Sequence, residues 1–152
     1  IREYVGQEKN DLSLQNMQLA SIFASMAISK TKTGISHSIS YPLTSFFDIP
    51  HGIASSFVLP EVILFNEKED DGRLKNLCEY LSYSDVNQLY KELSKIRIEL
   101  LSKSGLISKL QDINIDSISD KLLTKERSNL NMRKISKKQA IEILKEAIIN
   151  IS

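Results

Sequence analysis

The sequence predicts an all-α fold, a bundle-like domain of about seven helices. Three observations carry that prediction. Glycine and proline, the residues that punctuate a chain, number only five and three in 152 residues. No stretch alternates apolar and polar residues over a strand's length, as a half-buried strand requires. Between the breaks, apolar residues return every three or four positions, the spacing of one helical face.

The first element covers residues 12–29, LSLQNMQLASIFASMAIS. Asn10 or Asp11 is its expected N-cap, because a short polar side chain can accept from the unsatisfied N–H groups of a first turn. Ala20, Ser21, Ala24, Ser25 and Ala27 are small enough to let another helix approach closely. Gly34 breaks the pattern. A second apolar helix spans 35–47, with a kink or interruption expected near Pro42, which lacks an N–H and crowds the preceding turn. Pro50 falls just inside a third helix start, where proline is tolerated. That helix continues through GIASSFVLPEVILFN, bent or divided at Pro60. Being apolar nearly all round, it is expected to be buried and central.

After Asn66 the composition changes. NEKEDDG reads as a solvated loop or helix start. Residues 73–81, 84–102 and 117–123 then read as amphipathic helices; in the middle one Val86, Leu89, Leu93, Ile96 and Leu100 share a face. The last helix, in SKKQAIEILKEAIINI, opens with Ser136 and Gln139 as a capping box. The expected arrangement has the apolar N-terminal third inside and the amphipathic remainder around it. No internal repeat or low-complexity tract is present.

Bulk properties exclude some function classes. Twenty basic against nineteen acidic residues leave a net charge of +1, which is not the basic face a nucleic-acid binder needs. No apolar run reaches the roughly 18 residues that would span a membrane, and no secretory signal pattern is present. A single cysteine, Cys78, reads as a small buried hydrophobe between leucines and fits a reducing, cytoplasmic setting. The first residue is Ile1 rather than Met, a hint that the sequence is a piece of something longer.

The chemistry concentrates in HSISYPLTSFFDIPHG, residues 37–52, which holds both histidines of the chain, His37 and His51. One reading leaves them unrelated, each hydrogen-bonded where it falls. Another makes them metal ligands, with Asp48 or Glu61 completing a two-histidine, one-carboxylate set. Nothing in the spacing points either carboxylate toward His37. No nucleophile elbow, glycine-rich phosphate loop, HExxH or CxxC motif offers a better template.

Residues 35–66, ISHSISYPLTSFFDIPHGIASSFVLPEVILFN, closely resemble the signature of the iron-containing, or group III, alcohol dehydrogenases. The matching pieces are His37, Pro42-Leu43, Phe46-Phe47, Pro50-His51-Gly52, Leu59-Pro60 and Phe65-Asn66. NMQLASIFASMAIS looks like the family's preceding helix and ISKKQAIEILKEA like its terminal one. The likeness is strong over residues 12–66 and holds in outline afterwards.

The resemblance implies that residues 1–152 are the C-terminal all-helical, metal-binding domain of a two-domain enzyme, of the kind also found in dehydroquinate synthase. The N-terminal domain, which holds NAD(P)H, and the first metal-ligand helix would lie outside this sequence. A divalent metal, iron first and zinc second, would take an aspartate and a histidine from that helix, with His37 and His51 as its other ligands. It would polarise the carbonyl of a small aldehyde that receives hydride from the nicotinamide. Phe46, Phe47, Ile39 and Leu43 would wall the site or simply form core. A homodimer is left open.

Many family members carry a second histidine four residues after the first ligand, and here that position is Tyr41. It is assigned a catalytic part, as hydrogen-bond donor to the reacting oxygen, or else lines the pocket. The Ser-Tyr-Pro-Leu-Thr version, with Lys32-Thr33 before it, resembles the phosphonoacetaldehyde reductase branch, with Lys32 and Thr33 on the substrate's anion. Two alternatives stand beside this reading. One is another superfamily member, of glycerol dehydrogenase or dehydroquinate synthase type. The other is a non-catalytic helical interaction module.

Overall fold

The computed structural model describes residues 10–151, and the chain divides into two compact units, Ile1–Thr33 and Gly34–Ser152. The all-α expectation holds: the described residues form nine α-helices and one 3-10 helix, with no strand among them.

The first unit is described by one helix, α1 (Asp11–Thr31). Asn10 is its N-cap, and a reciprocal pair closes the first turn. Ser13 N–H donates to Asn10 Oδ1 at 2.8 Å and Asn10 N–H donates to Ser13 Oγ at 3.3 Å. Lys32 ends the helix at φ 62°, ψ −174°, its N–H donating to the Ile28 carbonyl. Leu12, Leu19, Ile22, Phe23 and Met26 are all at least half exposed. The expectation that the whole apolar N-terminal third lies inside is therefore corrected for α1.

The second unit holds α2 (Ile35–Phe47), α3 (His51–Phe57), α4 (Leu59–Glu67), α5 (Arg73–Tyr80), α6 (Val86–Ser104), α7 (Ile107–Gln111), the 3-10 helix Ile115–Lys121, α8 (Lys125–Leu130) and α9 (Lys137–Ile149). Helix α2 runs through Pro42 as one element. Proline sacrifices one backbone bond there, but its ring is buried in the core beside Leu43, so packing offsets the loss. Asp48 ends α2 in the left-handed conformation, φ 47°, which a short polar side chain tolerates better than most. Pro50 is the N-cap of α3 rather than its first residue, and its carbonyl accepts from the N–H groups of Ile53 and Ala54, both at 2.9 Å.

The long third helix is divided, as expected near Pro60. Val58 ends α3 and starts α4, and Pro60 occupies the first turn of α4, where its missing N–H has no intrahelical partner to lose. Farther on, the Asp70 carboxylate accepts from the N–H groups of Leu74 and Lys75, so the acidic run serves as a cap for α5. The capping box at α9 is as expected, with Ser136 N–H donating to Gln139 Oε1 at 2.9 Å.

The main core joins Ile35, Ile39 and Leu43 of α2 to Phe57 of α3, Leu101 of α6, Leu122, and Leu144 and Ala147 of α9. A second cluster gathers Ile63, Leu74, Cys78, Val86 and Leu89. Cys78 is buried as expected, and burial pushes its thiol pKa up. Between α3, α4, α6 and the end of α9 lies a buried ion pair. Arg97 Nη1 donates to Glu61 Oε2 at 2.6 Å and to the Phe57 carbonyl at 2.9 Å, while Asn150 Nδ2 donates to Glu61 Oε1 at 3.1 Å.

Candidate metal and substrate site

The site is built from the join of α2 and α3. His37 is the third residue of α2, and His51 is the first of α3. The turn through Asp48, Ile49 and Pro50 reverses the chain so that the two helices pack side by side. Ile49 anchors that turn: it is fully buried, and its N–H donates to the Leu43 carbonyl at 3.3 Å. The imidazoles consequently meet, with ring centroids 5.6 Å apart and planes at 66°. Tyr41, one helical turn after His37 and on the same face, stacks on His51 at 6.0 Å and 25°.

Arg127, from α8, completes the group. Its Nη2 donates to the Tyr41 hydroxyl at 2.8 Å, and its guanidinium carbon lies 4.6 Å from the centre of the Tyr41 ring. The start of α8 is fastened to α2 from within, since Thr124 N–H donates to Oγ of the fully buried Ser38 at 2.8 Å.

Burial lowers the pKa of His37, and electrostatic repulsion from His51 and Arg127 pushes it further the same way. The imidazole is thus held in its neutral form, which is the form that binds a metal. Two imidazoles on one tetrahedral ion, at metal–nitrogen distances of about 2.0–2.1 Å, place their ring centroids roughly 5 Å apart. The observed 5.6 Å lies close to that. The pair therefore fits as part of a ligand set.

No third ligand joins the two among the described residues, where no group of three or more His, Cys, Asp and Glu side chains is arranged to hold an ion. Asp48 is exposed at the end of α2. Glu61 is only 2% exposed and is engaged by Arg97 and Asn150. Both carboxylates drop out as local ligands.

The apolar walls divide in the same way. Ile39 and Leu43 are fully buried core and Phe47 packs against it, whereas Phe46 is exposed with the Lys121 ammonium 3.9 Å from its ring centre. Lys32 and Thr33 end the first unit, while His37, Tyr41 and His51 belong to the second. The structure brings the latter three together and adds Arg127. No sequence signal marked that arginine: KERSNL reads as a charged surface stretch, 86 positions from Tyr41.

The sequence profile described as "Fe-containing alcohol dehydrogenase family, C-terminal" matches residues 1–148. The chain belongs to that family. Among curated relatives, the 1,3-propanediol dehydrogenase of Citrobacter freundii is 22% identical over 97% of this chain and 40% of its own length. The NADPH-dependent butanol dehydrogenase of Clostridium saccharobutylicum is 28% identical over 85% of this chain and 36% of its own. A 1-propanol dehydrogenase from Citrobacter freundii reaches 42% identity over 63% of this chain and 27% of its own. This member of the iron-containing family thus spans 40% or less of those relatives' length. No solved structure matches it. No helix among the described residues is long and apolar enough to cross a membrane.

Proposed function

We propose that the protein containing this chain is a metal-dependent, NAD(P)H-linked alcohol dehydrogenase that reduces small aldehydes, with His37 and His51 as two of its metal ligands. The observation that carries this reading is the histidine pair, 5.6 Å apart with Tyr41 stacked beside it, in a chain of the iron-containing alcohol dehydrogenase family. Iron is the first choice of metal and zinc the second. The remaining two ligands are assigned to an earlier helix and most of the nucleotide site to an N-terminal domain, both outside these 152 residues, and the cytoplasm is the proposed compartment.

When bound, the divalent ion supplies Lewis-acid polarisation of the carbonyl oxygen. A bound reduced nicotinamide would supply the hydride of the reduction, and the carbonyl oxygen would then need a proton. The chain's own residues prepare that proton transfer. The Tyr41 oxygen accepts from Arg127, so its own O–H is directed elsewhere and is suited to donate toward a reacting oxygen. His37, kept neutral, offers a lone pair instead of a competing proton. The finer proposal for substrate is phosphonoacetaldehyde, reduced to 2-hydroxyethylphosphonate, with Lys32 and Thr33 assigned to the phosphonate.

The test is made on the full-length protein. It should contain a stoichiometric divalent metal and oxidise NADH or NADPH with short aldehydes. His37→Ala and His51→Ala should each lose metal and turnover by more than the 10–100-fold typical of residues that only orient a ligand, with helical circular dichroism unchanged. Full metal and turnover in either variant would remove that histidine from the ligand set.

A further inference from the structure

We propose that α1 is a docking helix, covered in the full-length protein by apolar helical segments that precede residue 1 of this chain. The inference goes beyond the proposed function and does not depend on it. Its first support is composition. Residues 12–29, LSLQNMQLASIFASMAIS, hold no charged side chain. Within them Leu12, Leu19, Ile22, Phe23 and Met26 are each at least half exposed. Leu12, Leu19 and Met26 recur at seven-residue steps, two helical turns, with Ile22 and Phe23 beside them, so the five make one continuous stripe. Leu14 and Ile28 are exposed as well, and they fall on the opposite side of the helix. A helix that is apolar on two sides and uncharged between them has the pattern of a buried element.

Three occupants can be weighed. A bilayer is a poor match: no described helix is long and apolar enough to cross one, and α1 lacks the basic face with which an interfacial helix meets headgroups. A second copy of this chain, meeting α1 across a two-fold axis, would cover one side and leave the other in water. The rest of the protein itself has the size for the task. This chain spans 40% and 36% of the two dehydrogenases that match it over most of its length. The matching profile is the family's C-terminal part, so more than half of such a protein is left to lie upstream of α1. Close packing is provided for too. Ala20, Ala24 and Ala27 form a strip of small side chains between the two apolar sides, and small side chains let a neighbouring helix axis come nearer.

The experiment uses the full-length protein and has two readouts. In the wild type, Met26 should form its sulfoxide with hydrogen peroxide at least tenfold more slowly than in urea-unfolded protein, as measured by peptide mass spectrometry. With Phe23→p-benzoylphenylalanine, irradiation should join α1 to peptides upstream of residue 1 within one chain. Should that variant fail to fold, Gln15, exposed beside the stripe, carries the same probe. Oxidation of Met26 as fast as in the unfolded protein overturns the inference, since α1 would then be uncovered. Crosslinks confined to residues 34–152, or to a second copy, also overturn it and name that occupant instead. Neither readout uses turnover or metal, so the proposed function stands or falls separately.

Discussion

Arg127 reaches across 86 positions of sequence to donate to the hydroxyl of Tyr41 at 2.8 Å. Its charge acts on His37 as well. Burial is the larger cause of that histidine's lowered pKa, followed by His51 and then Arg127.

In the metal-free chain, the His37 ring should therefore titrate below the ordinary value of 6.5. The native state then holds its proton less tightly than the unfolded chain. Stability associated with His37 is fully present above pH 6.5 and is lost as pH falls from there through the native midpoint. Ring-proton NMR should find that midpoint below 6.5. Arg127→Gln should raise it without bringing it to 6.5, since burial remains. A native midpoint at or above 6.5 would contradict the packing described here.

The Glu61–Arg97 pair should be a point of fragility. Both side chains are almost wholly buried, and truncating one leaves the other charged and desolvated. Arg97→Ala or Glu61→Ala should each destabilise the chain by about 3–5 kcal/mol, measured by urea denaturation. Replacing both together, as Glu61→Leu with Arg97→Met, should cost less than either single change, because no charge is left without a partner. Additive losses in the double variant would refute this.

How much of this was readable from the sequence depends on how far apart the partners lie. His37, Tyr41 and His51 were legible because they fall within fifteen residues, and helical periodicity puts Tyr41 on the His37 face. The caps at Asn10 and Ser136 were legible for the same local reason. Glu61 was misjudged as a ligand candidate because its partner Arg97 is 36 residues away, on another helix. A break was legible from Pro60, but hydrophobicity continues straight through it, so the choice between bend and division and its place at Val58 were not. Arg127 was invisible because α8 is six residues long, too short to show a period. What makes it part of the site is a tertiary bond from Thr124 to Ser38.

The 152-residue chain by itself should bind divalent metal weakly. Two imidazoles are in place, and no third donor joins them among the described residues. Calorimetric titration with zinc or ferrous iron should give an affinity no tighter than about micromolar, roughly −8 kcal/mol. Titration should also shift His37 and His51 together in the NMR spectrum. Nanomolar binding by the monomer would mean that a ligand such as Asp48 swings in, and that the proposed ligands outside this chain are unnecessary.

Lys32 offers the last test, because its backbone is in a conformation that suits glycine. At φ 62°, ψ −174° it occupies a region that costs a residue with a Cβ about 1–3 kcal/mol, and such strain is often held where function needs the side chain. Lys32→Gly should relieve it. After allowing for the greater flexibility of glycine in the unfolded chain, the net gain in stability should be up to about 1 kcal/mol. In the full-length enzyme the same change removes the ammonium proposed to assist anion binding. It should therefore lower kcat/KM for phosphonoacetaldehyde by on the order of 1.5–3 kcal/mol in transition-state stabilisation, the range for a charged hydrogen bond. A variant that is both more stable and less active on the anionic aldehyde would explain why lysine occupies a glycine conformation. A variant that gains stability and keeps full activity would leave Lys32 as a strained helix end and remove it from the substrate site.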